Sequence, residues 1–452
     1  MSKFTAVIMA AGMGTRMKSE KPKVIHEICT KPLCAYAIDA AKNAGADKVV
    51  TIVGHCREAV MQKLGDVCVY AYQAEQKGTG HACMQAMDMV CGEYCVVLSG
   101  DAPLLRAESI EKAVKYHKEN NCAVTILTAI ADDPTGYGRI IRDGDGNVLR
   151  ITEHKDASDE EKKIKEINSG MYVFNSDDLK EALGKIKPNN AQGEYYLADT
   201  VEIIKSEGKK AGGFVLSDID ELRGINDRVQ LFEAEKIMQK RINECHMRGG
   251  VTIHCPETVI ISPDAQIGSD TEIFSGTVIE GETKIGNNVT ITASSRIVNS
   301  EIGNGVSIQS SVILSSKVGD DTTVGPFAYI RPNCVVGKKV RIGDFVELKN
   351  ANIGDGTKVS HLTYVGDSDV GEGCNFGCGT VTVNYDGKKK YRTTIGNNVF
   401  IGCNSNLVAP VTLKDGAYTA AGSTITDEVP ENYLAIARAR QVNKEVWKDR
   451  RK

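Results

Sequence analysis

The stretch KVGDDTTVGPFAYIRPNCVVGKKVRIGDFVELKNANIGD, residues 317–355, decides the fold of the C-terminal half. Aliphatic–glycine pairs return in it at Val318-Gly319, Val324-Gly325, Val336-Gly337, Ile342-Gly343 and Ile353-Gly354, with Ile330 and Leu348 on the same phase. The beat runs from about residue 260 to residue 425, taking in Ile267-Gly268, Ile285-Gly286, Ile302-Gly303, Val365-Gly366, Val370-Gly371, Ile395-Gly396 and Ile401-Gly402. A hexapeptide period of this kind marks a parallel β-helix. Each unit supplies one short strand whose aliphatic points into the coil, and the small residue after it lets the chain turn. A single coil cannot bury its aliphatics, so the coils stack on one shared core. Three hexapeptides make one turn, so residues eighteen apart fall on neighbouring coils.

Outward from the ladder the pattern changes. Residues 227–247 hold no Pro or Gly, and Leu231, Ala234, Met238, Ile242 and Cys245 share a helical face ahead of the stop at Gly249-Gly250. Upstream, apolar runs at 4–9, 49–53, 68–72, 94–98 and 124–128 read as strands, alternating with helical segments at 34–44 and 107–119. That alternation predicts a doubly wound α/β sheet with its site at the carboxyl ends of the strands. The domains expected are 1–226, a helical linker 227–247, and 248–452. Within the ladder, NYDGKKKYRTT (384–394) is a polar, basic excursion too long for a corner, and the ladder is expected to stop after Thr426.

At 452 residues, 25% charged and with a net charge of −4, the composition is that of a soluble globular protein and argues against a nucleic-acid binder. No apolar run reaches the length of a membrane span, and the N-terminus lacks a signal-peptide plan, so the cytoplasm is the expected compartment. Fourteen scattered cysteines without a CxxC pair predict reduced core thiols rather than disulfides or zinc ligands.

The first strand runs into AAGMGTRMKSEKPK (10–23). Gly12 and Gly14 let backbone amides approach a triphosphate, and a following helix N-terminus would favour the anion. Arg16 and Lys23 add cations that follow charge during phosphoryl transfer. Gly-x-Gly alone is an ordinary tight turn; the whole string, Ala-Ala-Gly-x-Gly-Thr-Arg-Met followed by Pro22-Lys23, resembles the signature of the sugar nucleotidyltransferases. Asp101, in Ser99-Gly100-Asp101-Ala102-Pro103, stands at a strand end as a Mg²⁺ ligand or a helix N-cap. Gln73 and Gly78-Thr79-Gly80 offer groups that read a base edge. A sugar 1-phosphate is already an anionic nucleophile, so such a site needs positioning and charge rather than a general base.

These motifs extend into QAEQKGTGHA (73–82), DPTGYGRI (133–140), EHKDA (153–157), INSG (167–170), NAQGEYYLAD (190–199), GIN (224–226), FVELKNA (345–351) and HLTYVGD (361–367). Over its whole length the chain resembles the family of bacterial bifunctional UDP-N-acetylglucosamine pyrophosphorylases / glucosamine-1-phosphate N-acetyltransferases. The resemblance implies a Rossmann-like nucleotidyltransferase domain, a long connecting helix and a left-handed β-helix. It implies acetyl transfer from acetyl-CoA to glucosamine 1-phosphate, then uridylyl transfer from UTP, in a homotrimer that binds neither nucleic acid nor membrane. By position, Met9, Ala10, Ala11, Gly12, Gln73, Gly78, Thr79, Ser99 and Gly100 would meet the uridine nucleotide, with Arg16 and Lys23 catalytic on its phosphates. Gly138, Glu153 and Asn168 would grip the amino sugar, and Asp101 and Asn226 would hold Mg²⁺.

For acetyl transfer the resemblance implies His361 as general base, a role that suits an imidazole facing an ammonium substrate. Arg331 and Lys349, one coil apart, would bind the sugar phosphate with Tyr364 and Asn375. Cys378, Asn384, Tyr385, Cys403, Ala421 and Arg438 would line the acetyl-CoA groove. Cys403 stands where the family usually has Ser, Cys378 where it has Ala, and Arg438-Ala439-Arg440 replaces a more usual Arg-x-Pro. Lys388–Lys390 would meet CoA phosphates or sit on a flexible surface loop. A single-function nucleotidyltransferase with a structural β-helix, and a sugar-nucleotide-sensing scaffold, are the rival readings; His361 and the excursion separate the first, Asp101, Lys23 and Arg16 the second.

Overall fold

The computed structural model describes residues 4–144, 146–188 and 192–444, and the chain divides into two compact units, Met1–Met238 and Gln239–Lys452. Asn190 and Ala191 of the 190–199 motif, and residues 445–452 of the basic tail, lie outside the described residues.

Among the described residues the first unit holds a nine-stranded sheet. Its parallel part runs Val69–Tyr72, Lys48–Val53, Phe4–Ala10, Tyr94–Ser99 from edge to centre. Phe4–Ala10 has Lys48–Val53 on one side and Tyr94–Ser99 on the other, so the winding direction reverses beside the first strand. A crevice opens at such a switch point, outside the carboxyl ends. Met9 and Ser99 are register partners there. The helices Leu33–Asn43, Thr79–Ala86 and Ala107–Glu119 cover the faces, burying Ile38, Cys83 and Ile110 completely.

The sheet is mixed rather than uniformly parallel. Glu166–Asn175 runs antiparallel between Tyr94–Ser99 and Val124–Ile130, and the hairpin Arg139–Arg142 with Val148–Thr152 joins its edge. These strands, and Ala211–Val215, escaped the reading of the sequence because Asn168-Ser169-Gly170 breaks the longest run with turn residues. The break is a bulge: register shifts between Asn168 and Tyr172, and Gly170 takes φ +74°. A bulge re-aims side chains beside it, and here that side chain is Asn168.

The connecting helix is Arg228–Arg248. Asp227 Oδ1 accepts from the Val229 and Gln230 amides at 2.9 Å each, so Asp227 is its N-cap. Ala234, Met238 and Ile242 are buried as expected, whereas Cys245 is exposed. Within the second unit, Asn243 Nδ2 donates to the carbonyls of Pro256 and Val259 at 2.8 and 3.0 Å.

The second unit is the β-helix, three parallel sheets of eleven, ten and nine short strands among the described residues. One interior column reads Ile273, Ile291, Ile308, Val324, Ile342, Val359, Phe376, Ile401, all buried in register. Each such aliphatic contributes about 1.5–3 kcal/mol of burial. Coils are not uniformly eighteen residues, since Ile297 pairs with Ile313 and Ile313 with Ile330. The ladder opens at Thr252–Ile253 and runs to Leu434–Ala435, past the expected stop, because Leu434 and Ala435 add a rung to Tyr418 and Thr419.

The glycines after the aliphatics have another purpose than the one expected. A Cβ on Gly319 would lie 2.6 Å from the Gly337 carbonyl carbon, and one on Gly354 2.5 Å from that of Gly371. They permit close stacking of coils; the turns are made at other positions, many of them Asn or Ser with positive φ such as Asn288, Asn299 and Ser310. All fourteen cysteines are free, but Cys56, Cys91, Cys245, Cys255 and Cys403 are exposed, so the core-thiol expectation holds only for part of the set.

Candidate active sites

In the first unit two adjoining cavities, of about 310 and 350 Å³, share Met9, Thr79 and Ser99 at the switch point. The smaller is lined by Ala11, Gly12, Lys23, Gln73, Gly78 and Asp101. Gly14 is left-handed (φ +63°), and a Cβ there would lie 2.6 Å from that of Lys23, so glycine is needed twice over. The loop leads into a three-residue 3-10 turn, Thr15–Met17, rather than the helix expected to receive the anion. Cationic side chains gather beside it instead. Arg16 Nη2 donates to Asn226 Oδ1 at 2.9 Å and Lys23 Nζ to the same oxygen at 3.2 Å; Lys23 also pairs with Asp101.

Asp101 is no N-cap, since the next helix begins at Ala107 behind Arg106. Asn226 is equally free of capping duty, because Asp227 holds that role. Gly100 lies against the Met9 carbonyl, its amide donating at 3.0 Å, which fixes the strand end that presents Asp101. Gln73 is buried, its Nε2 donating to the Gly78 carbonyl at 3.2 Å, and Thr79 Oγ1 accepts from the Leu197 amide. Gly78 and Gly80 close against Tyr195. Gln76 also lines this cavity, although a glutamine in a loop carries no distinctive sequence pattern.

The larger cavity brings Glu153 and Asn168 together with His154, Asp156, Tyr172 and Tyr196. Gly138 stands behind them: a Cβ there would come within 3.2 Å of Glu153 Oε1. Asn168 Oδ1 accepts from the Gly170 amide and the Tyr172 hydroxyl, leaving its Nδ2 as the donor for a ligand. Burial pushes the Glu153 carboxyl above the usual range, and the carboxylates of Asp156 and Asp199 push the same way.

In the second unit His361 Nδ1 lies 2.6 Å from Asp344 Oδ1, the two residues paired across adjacent coils. The hydrogen bond from His361 holds the Asp344 carboxyl below its usual range. An ionised carboxylate only accepts, so the proton of neutral His361 sits on Nδ1 and Nε2 keeps its lone pair. Asp344 escaped notice because one acidic residue in a solvated row has no sequence mark; only coil register sets it beside His361.

That register continues. Val359 pairs with Phe376, Phe376 with Ile401 and Ile401 with Thr419. Two residues beyond each lie His361, Cys378, Cys403 and Ala421, one edge of four successive coils with Asp344 above. Arg438 reaches the end of this edge, its Cδ 3.7 Å from where a Cβ on Gly422 would be. Asn375 stands on the adjoining face between Lys358 and Phe400.

Arg331, Lys349 and Gly366 follow one another on a different corner. Arg331 Nη1 donates to Glu347 at 2.9 Å, and Lys349 Nζ to Asp367 at 3.3 Å. Burial alone would raise the Asp367 carboxyl, but hydrogen bonds from Asn350 and Asn384 and the Lys349 ammonium outweigh it and hold it low. Asn384 is buried, bonded to Asp367 and to the Tyr364 hydroxyl, while Tyr385 is exposed and bonds the Gly387 carbonyl. The excursion is shorter than expected, since Thr393 and Thr394 already belong to a strand. It is also tied down: Asp386 accepts from the amides of Lys388 and Lys389, and Arg392 clasps Asp369 with both Nε and Nη2. Lys390 comes to rest beside Lys349, whose ammonium pushes the Lys390 amine below the ordinary lysine range. Three cations thus gather on one corner, two of them already paired with carboxylates.

A phosphate loop with an acid at a switch point, and a histidine on a hexapeptide coil, define the class: a nucleotidyltransferase joined to an acyltransferase. Residues 5–220 match the family model for nucleotidyl transferase, and residues 315–350 and 392–427 that for the bacterial transferase hexapeptide (six repeats). A protein of Acetivibrio thermocellus named bifunctional protein GlmU is 55% identical over 98% of this chain and 96% of its own. Proteins of the same name from Caldanaerobacter subterraneus subsp. tengcongensis and Clostridium beijerinckii are each 54% identical, over 100% and 99% of the chain and 99% and 98% of theirs. The chain belongs to the GlmU family, and it is a bifunctional transferase of uridylyl and acetyl groups with a left-handed β-helix.

Proposed function

We propose that acetyl transfer runs at the Asp344–His361 edge and uridylyl transfer at the switch-point cavities. Glucosamine 1-phosphate lays its phosphate against Arg331, Lys349 and Lys390, with Tyr364 and Asn375 beside it. His361 Nε2 takes a proton from the substrate ammonium; the freed amine attacks the thioester carbonyl, and the C–S bond breaks as the nitrogen's second proton passes to the leaving sulfur, releasing CoA as the thiol. Cys378, Cys403, Ala421 and Arg438 line the donor groove, whereas Asn384 serves through Asp367 rather than by direct contact. The observation that carries this reading is His361, its carboxylate partner and three donor-site positions, Cys378, Cys403 and Ala421, falling on one edge of consecutive coils. A coil kept only for assembly has no use for such an edge, which disfavours the single-function alternative.

In the first unit the uracil lies against Gln73 and Gly78-Thr79, with the triphosphate over Met9–Gly12 near Arg16 and Lys23. Glu153, Asn168 and Gly138 hold the N-acetyl sugar, Asn168 Nδ2 being suited to the acetamido carbonyl. The sugar phosphate attacks the α-phosphorus in line and pyrophosphate leaves. Asp101 and Asn226 fit Mg²⁺, since one cation already bridges their oxygens in the person of Lys23 Nζ. The ion would neutralise phosphate charge, which hard oxygen ligands at a strand end suit. The functional division we assign is 1–226, 227–247 and 248–452.

The assembly we propose is a homotrimer. Phe327, Phe345 and Leu362 occupy one corner of three successive coils, each 57–59% exposed and each with positive φ. Bulky residues pay roughly 1–2 kcal/mol for that conformation, which a surface has reason to tolerate where other copies cover it. No helix among the described residues is long and apolar enough to cross a membrane. The cytoplasm, where acetyl-CoA and UTP are made, suits the substrates, and UDP-N-acetylglucosamine would feed peptidoglycan and lipid A. The test follows free thiol and pyrophosphate separately, with glucosamine 1-phosphate, acetyl-CoA, UTP and Mg²⁺ supplied. His361→Ala is expected to abolish thiol release and spare pyrophosphate release from N-acetylglucosamine 1-phosphate. Retained thiol release, or loss of both, would overturn the assignment.

A further inference from the structure

Arg139 is 1% exposed, among the largest side chains the first unit buries completely. Among the described residues no carboxylate lies within ion-pair distance of it, and its Nε has no hydrogen-bond partner. Arg142 on the same strand shows what a satisfied arginine looks like there, gripping Glu166 through Nε and Nη2 at 2.7 and 2.6 Å. A buried guanidinium without counter-charge is costly, so its remaining contacts matter. Nη1 donates to the Tyr137 carbonyl, and Nη2 lies 3.3 Å from His154 Nδ1 and 3.5 Å from the Lys162 carbonyl. Asp133 acts on Arg139 and His154 only from a distance: its carboxylate feels both but makes its hydrogen bond to the Thr135 amide at 3.0 Å, giving Arg139 no direct ion pair.

Arginine has five donors and no acceptor. His154 Nδ1 must therefore accept, which puts the proton of the neutral ring on Nε2. His154 lines the larger cavity directly after Glu153, and its Nε2 has no hydrogen-bond partner among the described residues. The cavity thus presents an acceptor, the Glu153 carboxylate, next to a donor locked in one tautomer by a group that cannot itself be deprotonated. Adjacent hydroxyls of a hexose take such a pair, one donating and one accepting.

We propose that His154 is a specificity-determining residue of the uridylyl site, donating through Nε2 to a sugar hydroxyl, and that Arg139 is the positioning residue that fixes its tautomer. The inference rests on the assignment of this cavity to the sugar phosphate. The test measures pyrophosphate release with N-acetylglucosamine 1-phosphate varied, for His154→Gln, His154→Leu, His154→Glu and Glu153→Gln. Glutamine offers Arg139 an oxygen and the sugar an N–H, and is expected to stay within about twofold of the parent KM. Leucine offers neither. Glutamate supplies the counter-charge Arg139 lacks but no donor, so it is expected to raise the thermal midpoint. Leucine and glutamate are both expected to raise the sugar KM roughly three- to tenfold with KM for UTP unchanged. Among monodeoxy sugar 1-phosphates, one is expected to bring the parent and His154→Leu to the same KM. A glutamate variant with the parent KM would reduce His154 to a cap for Arg139 and overturn the proposal, even if the leucine variant fails to fold. If Glu153→Gln raises KM while neither His154→Leu nor His154→Glu does, the donor alone is refuted. If none of the three raises it, the sugar assignment of the cavity falls as well.

Discussion

Replacing Lys349 by alanine tests whether the corner of Arg331, Lys349 and Lys390 reads the substrate phosphate. The Lys349 side chain is 19% exposed and its partner Asp367 9%, so the charge works in a partly dehydrated setting where salt screens it weakly. A hydrogen bond from an ammonium to a phosphate oxygen is worth about 1.5–3 kcal/mol. At about 1.4 kcal/mol per tenfold, its loss raises KM for glucosamine 1-phosphate roughly 10- to 150-fold. Two responses of the site pull toward the lower end. Asp367 keeps its bonds from Asn350 and Asn384, so the orphaned carboxylate is not left bare, and Lys390 loses the like charge that holds its amine low. Because the phosphate does not react during acetyl transfer, the interaction is the same in ground and transition states, and kcat should change little. Thiol release against glucosamine 1-phosphate at saturating acetyl-CoA reads the effect, with pyrophosphate release as the internal control. A KM within about twofold of the parent, or a fall in kcat alone, would refute the idea that this corner is the phosphate site.

Asp344→Asn should leave His361 in place but remove the negative charge and offer an amide that can donate to Nδ1, so the proton is no longer held there; thiol release should fall at least about tenfold in kcat with little change in either KM, and an unchanged kcat would deny Asp344 its role. Glu153→Gln should separate stability from function in the first unit. Its folded carboxyl is raised above the unfolded value near 4.3, so the native state binds the extra proton and loses stability as pH climbs through the raised value. The variant should unfold later than the parent at pH 8 and together with it near pH 4, while its sugar KM rises; equal unfolding at both pH values would count against a desolvated carboxylate. Gly354→Ala and Gly356→Ala should diverge although they are two residues apart. The first drives a Cβ to 2.5 Å from the next coil's backbone, the second meets nothing within 4 Å and suffers only its positive φ. Urea unfolding of the second unit should show about 3 kcal/mol of loss for Gly354→Ala and about 1 kcal/mol for Gly356→Ala; similar losses would mean that stacking distance is not what selects glycine.

The parts of the fold that were readable are those whose physics is local and repetitive. A six-residue beat of buried aliphatics declares the β-helix, and apolar runs followed by glycine declare the strand ends that carry Gly12, Gly14 and Asp101. The antiparallel strand Glu166–Asn175 was hidden because its bulge at Asn168 looks like a turn, and the glycine rule was misread because close approach between coils leaves no trace in any single hexapeptide. Site residues followed the same division. Lys23, Asp101 and His361 stand out by motif or by being foreign to their surroundings. Asp344, Lys390 and His154 become legible only through register, loop closure or a buried neighbour, none of which a lone sequence displays.

The edge that carries His361 has a metrical consequence. Neighbouring coils are about 4.8 Å apart, so the five positions from Asp344 to Ala421 mark off a straight distance of roughly 19 Å. Length along this edge is counted in whole coils, because the shared core allows no fractional step. The excursion at 384–392 leaves this spacing intact: Val370 and Ile395 pair across it as neighbours, and the rows on either side stay aligned. Chain can thus be added at a corner without altering the gauge, whereas adding or removing a coil would change by one division the span between the proton-accepting end and the end where Arg438 lies. The ladder is a ruler as well as a support, graduated in units that mutation can only change one at a time.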